Sequence, residues 1–263
     1  MSLEVLLRLG LFLGILAVMA GWEARAAARP AALPKARRWA TNGAVAALDM
    51  VVIRLLFPAA AVGAAVDASA QGWGLFNLLG APGWLAGIVC LIVLDLAIWG
   101  QHVAFHRIPL LWRLHKVHHA DRDVDVSTAL RFHPLEATLS MLLKVALVYA
   151  LGAPAWAALA FEALLNGCAM FNHSNIALPG AWEGRVRRIL VTPEMHRIHH
   201  SVIRDEHDTN FGFSVSWWDR LSGLYSARAR GGEAGRRLGL AEHQDAAPGR
   251  LGWTLALPFR RQP

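Results

Sequence analysis

Five apolar stretches, residues 3–22, 43–66, 83–100, 138–151 and 155–171, dominate this chain of 263 residues. The hydrocarbon core of a bilayer is about 30 Å thick and takes about 20 helical residues to cross. In lipid, every backbone N–H and C=O must be bonded inside the protein, so an apolar run of this length crosses as a helix. The expected fold class is an all-α integral membrane protein with about four to five transmembrane or hairpin helices. Charge usage agrees, at 17% of residues where a soluble domain carries about 25%. The runs 138–151 and 155–171, joined around Gly152, Ala153 and Pro154, are short and read as a hairpin that dips into the bilayer or just crosses it.

Each stretch carries embedded charge: Arg8 in the first, Asp49 and Arg54 in the second, Asp95 in the third, and Lys144 and Glu162 on the two hairpin arms. Charges at such depth usually face a bundle interior, and Lys144 and Glu162 are expected to pair with each other. The first stretch has Glu4 near its head and no early basic cluster, so it reads as a retained helix rather than a cleaved signal. Cys90 and Cys168 sit inside apolar runs and no C-x-x-C is present, which gives no support to thiolate zinc or iron–sulfur sites.

Basic residues are unevenly placed. Arg25, Arg29, Lys35, Arg37 and Arg38 follow the first helix, and Arg107, Arg113, Lys116, Arg122 and Arg131 lie between 101 and 137. More follow from Arg185 onward, whereas the loop 67–82 and the hairpin tip have none. Lys and Arg mark the cytoplasmic side. With the amino terminus outside, every basic segment falls on that side, in a multi-pass inner or cytoplasmic-type membrane. The net charge of +7 then reflects topology and anionic lipid, and no nucleic acid is needed to explain it.

The expected organisation is one structural domain in five segments. Residues 1–100 form N-terminal transmembrane helices, 101–137 a first cytosolic histidine-motif segment and 138–171 the membrane hairpin. Residues 172–226 form a second cytosolic histidine-motif segment, and 227–263 a loose tail whose part 251–259 touches the membrane surface.

The histidines give this architecture its chemistry. His102 and His106 form an H-x-x-x-H; His115, His118 and His119 form an H-x-x-H-H; His196, His199 and His200 form another. On a helix, spacings of three and four put side chains on one face, so each cluster aims imidazoles at one point. All three fall on the same side of the membrane. His173, at the end of the last apolar run, and His133, before Pro134, join them as candidate ligands. His207, in a polar turn, reads as a non-ligand, and His243 as a solvated surface residue. Asp95 shares a helical face with His102 and His106, and either orients one of them or pairs elsewhere in the bundle. Catalytic zinc usually takes three protein ligands and a water; nine or ten imidazoles suit two metals. No H-E-x-x-H is present, which disfavours a metalloprotease. Imidazole suits iron, zinc, copper and nickel, and spacing does not choose among them.

The residues that carry these clusters resemble the fatty acid hydroxylase / sterol desaturase superfamily of membrane oxygenases. The likeness lies in Asp95 through Trp99, His102-x-x-x-His106-Arg107, Pro109-Leu110-Leu111-Trp112 and His115-Lys116-Val117-His118-His119. It continues through Arg131-Phe132-His133-Pro134-Leu135-Glu136, Phe171-Asn172-His173-Ser174-Asn175 and Val191 to Ser201, then Asn210-Phe211-Gly212 and Trp218-Asp219-Arg220-Leu221. One departure is Val103 after His102, where many members have Arg. The resemblance implies membrane helices capped by a cytosolic histidine-rich helical lobe. It also implies two iron ions, dioxygen as co-substrate and an external electron-transfer protein. Carried over by motif, the metal ligands are His102, His106, His115, His118, His119, His173, His196, His199 and His200, with His133 as a further one.

The leading reading is therefore a membrane-bound di-iron oxygenase that hydroxylates or desaturates a lipid or sterol-like substrate. Trp99, Phe105, Trp112, Phe171 and Phe211 are candidate walls of the substrate path, though each also reads as plain packing. Arg185, Arg187 and Arg188 are candidates for docking the electron donor, or equally for contact with anionic lipid. The alternatives are a histidine-rich metal carrier or sensor, and an inactive scaffold with a structural metal.

Overall fold

A computed structural model of the protein describes residues 3–230, 232 and 236–260. Its helices are α1 (Leu3–Ala26), α2 (Lys35–Leu56), α3 (Ala60–Gln71), α4 (Leu75–Leu78), α5 (Gly83–Arg107), α6 (Pro109–His119), α7 (Pro134–Leu151) and α8 (Ala155–His173). Five short helices follow: α9 (Gly180–Val186), α10 (Pro193–His199), α11 (Arg204–His207), α12 (Trp217–Ser222) and α13 (Leu251–Ala256). No strand occurs among the described residues. Prolines start many of these helices. Pro109, Pro134 and Pro193 open α6, α7 and α10, where the missing N–H costs nothing and φ is already helical. At the tip of the hairpin Gly152 ends α7 with φ +69°, a left-handed conformation that disfavours any side chain.

Two element boundaries differ from expectation. The stretch 43–66 is not one helix: the chain breaks at Phe57 and Pro58 between α2 and α3, because Pro58 has no N–H for the helical ladder. The loop 67–82 is partly helical, taken up by the end of α3 and by α4.

Four segments are long and apolar enough to cross a membrane: Arg8–Ala26, Lys35–Leu78, Gly83–Arg107 and Pro134–Leu151. Their outer faces expose large apolar side chains such as Leu13, Met50, Leu55, Ile92 and Leu142. A soluble surface does not carry such a continuous patch; a lipid-facing one does. The protein is an all-α integral membrane protein. At one end of the bundle α3 packs on α7 and α8 through Ala61, Ala64 and Ala65 against Val148, Ala157 and Ala158. Small residues let these helices approach closely. Inside the bundle Glu162 pairs with Arg8 of α1 at 2.5 Å. The expected Lys144–Glu162 pair is thus replaced by one across α1 and α8.

The other end carries the cap. The C-terminal ends of α1, α5 and α8 and the N-terminal ends of α2 and α7 meet there, under α6 and the short helices. Two buried charges fasten the helices to it. Glu23, near the end of α1, accepts hydrogen bonds from the N–H groups of Val126 and Asn175, both at 2.7 Å. Arg38, at the start of α2, donates to Asp121 at 2.7 and 2.9 Å and to Asp125 at 2.8 Å. Asp121 also accepts from Asn42 and from the Thr128 hydroxyl. Burial opposes ionisation of Asp121, but Arg38 outweighs it, with help from Arg131 and Asn42, and holds the carboxyl well below the usual range.

The expected loose tail is largely packed. Arg131 donates to the Pro248 carbonyl and the Thr254 hydroxyl, each at 2.9 Å. Leu257 is fully buried against Val117 of α6, Ala120 just after it, and Leu240. Buried polar anchors, rather than apolar periodicity, order this segment, which hides them from a composition reading. Residues 231, 233–235 and 261–263 of that tail lie outside the described residues.

Candidate metal centre

Four helices deliver the clustered histidines to the cap. α5 carries His102 and His106 on its last turns, so the first cluster belongs to a spanning helix rather than to a segment after it. His115, His118 and His119 come from α6, His173 is the last residue of α8, and His196 and His199 lie on α10 with His200 as its C-cap. The short α10 is started by Pro193 and by Thr192, whose hydroxyl accepts from the Met195 N–H at 3.4 Å. The Thr192 hydroxyl in turn donates to Glu183 at 2.5 Å.

These side chains form two buried sets. His102, His106, His115, His119 and His199 place one ring nitrogen each within 4.8 Å of one another, and His118, His173, His196 and His200 do the same. The sets are adjacent: His119 and His200 stack with ring centroids 4.5 Å apart, and His115 and His118 stack 5.3 Å apart.

Within each set the Nε2 atoms converge. His102 and His115 approach to 3.0 Å, His106 and His119 to 3.1 Å. In the second set His173 lies 3.0 Å from His118 and 2.9 Å from His196, which lies 3.2 Å from His200. Two nitrogens bound at about 2.0–2.1 Å to one ion, at ordinary coordination angles, stand about 2.9–3.4 Å apart. Backbone carbonyls fix three of the tautomers. The Nδ1–H of His102 donates to Phe211 O at 2.7 Å, that of His173 to Ala169 O at 2.7 Å and that of His199 to Thr209 O at 2.8 Å. In a neutral ring this leaves a lone pair on Nε2. The His173 lone pair then faces two ring nitrogens at once, and His199 Nε2 is buried with no hydrogen-bond partner. Burying an acceptor such as His199 Nε2 unmet is costly, and a cation at that focus would remove the cost. Burial and neighbouring imidazoles hold His118, His119, His196, His199 and His200 well below the usual histidine range, and burial pushes His115 down to about 3. All are neutral near pH 7, the form that binds a metal. The donor set fits two ions such as iron.

Outside the imidazoles, one loop and two carboxylates orient them. Asp219 accepts from the N–H groups of Phe211 and Gly212 and from Trp99 Nε1, all at 2.9 Å. It thereby holds the Phe211 carbonyl where His102 needs it. Asn210 has φ +54° and bonds the carbonyls of Met195 and Ser226. A Cβ on Gly212 would sit 2.6 Å from the Val215 oxygen; this is the physical content of the Asn210-Phe211-Gly212 motif. Glu136, on the first turn of α7, lies 2.6 Å from His115 Nδ1. With a cation on Nε2, Nδ1–H donates to this carboxylate, an arrangement that raises ligand basicity. Changing Glu136→Gln is expected to weaken metal retention by about 10–100-fold, measured as metal content after dialysis against graded chelator.

Nine of the ten sequence candidates are brought together. His133 is not. It caps α7, where Nδ1 accepts from the Leu135 N–H at 3.2 Å, and Nε2 lies 3.3 Å from Leu255 O. Its position before Pro134 makes it a helix-start residue, turned away from both foci. His207, read as a non-ligand in a polar turn, belongs to neither set but is less exposed than that turn suggested. It is buried, its ring centroid is 4.9 Å from His106 and 5.2 Å from His119, and with Asp208 it adjoins the first set. The short helix α11 turns it inward, and its polar neighbours hid that. Asp95 takes the second of its two readings, accepting from Trp218 Nε1 at 2.7 Å. His243 is half-buried against Trp253, centroids 4.9 Å apart.

A cavity of 230 Å³ reaches His102 and His115 from between α2, α5, α7 and α8. Of the five aromatic candidates, Phe105 lines it; Phe132 and Phe213, which the sequence did not single out, line it too. Trp112 instead packs on His106 and His119, and Phe211 on His102, His106 and His199.

Residues 87–224, just over half of the chain, match the family model described as fatty acid hydroxylase. The ornithine lipid hydroxylase OlsE of Rhizobium tropici is 29% identical over 138 residues, 52% of this chain and 41% of the relative. Alkylglycerol monooxygenase of Homo sapiens is 27% identical over 158 residues, 60% of this chain and 34% of the relative. The chain thus spans about two fifths or less of the length of these curated relatives. No solved structure matches.

Proposed function

This chain belongs to the fatty acid hydroxylase family, and on that footing we propose that it is a membrane-bound di-iron monooxygenase acting on a lipid. The observation that carries the reading is the pair of converging imidazole sets at the end of a membrane bundle, beside a cavity between the helices. His102, His106, His115, His119 and His199 would hold one iron, and His118, His173, His196 and His200 the other. Bound iron supplies the dioxygen chemistry that breaks an unactivated C–H bond, which no side chain can perform. The side chains position and protect. Glu136 and the carbonyls of Phe211, Thr209 and Ala169 keep four rings in one tautomer. Phe105, Phe132 and Phe213 wall the cavity and exclude water from the reacting carbon. The names of the two relatives, a hydroxylase and a monooxygenase, favour hydroxylation over desaturation.

The histidine end faces the cytoplasm in this reading, following the Lys and Arg distribution. Electrons come from an external protein in this reading, as the family resemblance implies. Arg185 and Arg188 are exposed on the cap and available to dock an acidic donor. Arg187 is engaged with Glu183 and Glu194 at 2.9 and 3.3 Å and is removed from that set. The carrier alternative finds no support, since the imidazoles are buried at one end of the bundle rather than strung along a path through it.

The test is comparative lipid profiling of membranes with and without the protein under ¹⁸O-labelled dioxygen. A lipid that gains one labelled oxygen only when the protein is present is the expected result. No protein-dependent labelled product, in membranes where iron and a reductant are supplied, would remove the proposal.

A further inference from the structure

The cavity that reaches the histidines is not the plain apolar slot that a hydrocarbon chain requires. Ile53, Ile98, Met141 and Leu165 give it apolar walls, but Asp49, Gln101, Ser140, Lys144 and Asn166 also line it. These polar groups belong to the spanning helices α2, α5 and α7 and to α8. Polar side chains in a membrane interior are expensive and usually pair with one another. Here they are only partly paired. Ser140 donates to Gln101 at 3.1 Å. Asp49 Oδ1 is buried with no hydrogen-bond partner. Lys144 is attracted by Glu162 but makes no contact ion pair with it among the described residues, where Glu162 contacts Arg8 at 2.5 Å. An acceptor, a donor and an amide thus converge on one cavity with bonding capacity to spare.

Their placement along the helices gives a length. Glu136, which touches His115, and Lys144 line the same cavity from one helix. Eight residues of helix separate them by about 12 Å. The volume of 230 Å³ is below the roughly 300–1,000 Å³ of sites that enclose a whole small ligand. It takes a section of a lipid, with the remainder in the bilayer.

We propose that this cavity selects a lipid bearing a hydrogen-bonding group, a hydroxyl or an amide, seated at Asp49, Lys144 and Asn166. The carbon presented at His102 and His115 then lies on the order of 10 Å from that group. An unsubstituted hydrocarbon segment leaves these side chains unbonded and is rejected, as polar sites reject analogues that lack the matching group. The identity of the reaction at that carbon rests on the oxygenase reading; the binding preference does not.

The experiment measures equilibrium binding of radiolabelled hexadecan-1-ol and hexadecane to the purified full-length, iron-loaded protein in detergent, without reductant. The alcohol is expected to bind about tenfold more tightly or better. Lys144→Met and Asp49→Leu should bring the two probes to within about threefold of each other. Ser140→Ala and Asn166→Leu provide milder reductions if either first variant is not recovered folded. Equal binding of both probes to the unaltered protein overturns the proposal, and so does a preference that survives in every folded variant. Product under labelled dioxygen is measured in parallel. A preference without turnover removes the oxygenase reading alone; turnover without a preference removes this inference alone.

Discussion

Replacing His118 or His199 with Ala is expected to abolish product and to lower the metal content by about half in each case. The two residues belong to different sets, so each substitution opens one focus and leaves the other intact. His199 Nε2 is a buried acceptor without a protein partner, and His118 Nε2 lies 3.0 Å from His173 Nε2. A cation on each focus would give His199 Nε2 its missing partner and bind His118 and His173 together. Outer carboxylates alone are worth about 10–100-fold in metal affinity or activity; loss of a direct ligand should exceed that, leaving product at about 1% of the unaltered level or less. His133→Ala is the control that separates ligand loss from the mere removal of a buried imidazole. It should keep its metal and lower stability by about 1 kcal/mol, the value of an N-cap. Metal analysis, together with far-ultraviolet circular dichroism to verify folding, checks all three. Full metal content in both His118→Ala and His199→Ala would refute the assignment of the sets.

Asp121→Ala should be the most damaging change outside the histidines, costing about 3–5 kcal/mol. Its carboxylate is buried and accepts two hydrogen bonds from Arg38, one from Asn42 and one from Thr128. Removing it leaves the Arg38 guanidinium with Asp125 and the Asp123 carbonyl as its remaining close partners, and it loosens the link between α2 and the loop that follows His118 and His119. A lower thermal midpoint in detergent and weaker metal retention should therefore appear together. The pH dependence has a definite sign. The folded carboxyl is held below its unfolded value of about 3.9, so its stabilisation is fully present above that value. It is lost only as pH falls through the lower, folded value. Between pH 5 and 8 this group should add no slope to stability. A midpoint unchanged in Asp121→Ala would show that the buried network does not fasten the cap.

Membrane placement and the gathering of nine histidines were legible in the sequence because both signals are dense and local: bilayer-length apolar runs, and imidazoles at one-face spacings. What escaped was set by partners distant in the chain. Arg38 looked like one of many basic residues after the first helix, yet it meets Asp121 and Asp125, more than eighty positions on. Glu136 looked like a motif flank until α7 laid it beside His115. His133 misled because proximity in sequence to a histidine cluster resembles proximity in space, whereas Pro134 commits it to starting a helix. The burial of His207 was not legible because four residues of helix turn it from its polar surroundings to His106. The tail read as loose because Gly, Arg and Ala carry no periodicity. Arg131 holds it through polar bonds that no hydropathy pattern registers.

The most direct test of the metal centre is to count metal per chain in the full-length protein, purified from iron-supplied cells, by plasma mass spectrometry against amino-acid analysis. The expected result is about two irons per polypeptide, falling to about one in His118→Ala and in His199→Ala. A protein that forms labelled product with one metal or fewer per chain would contradict the two-set centre.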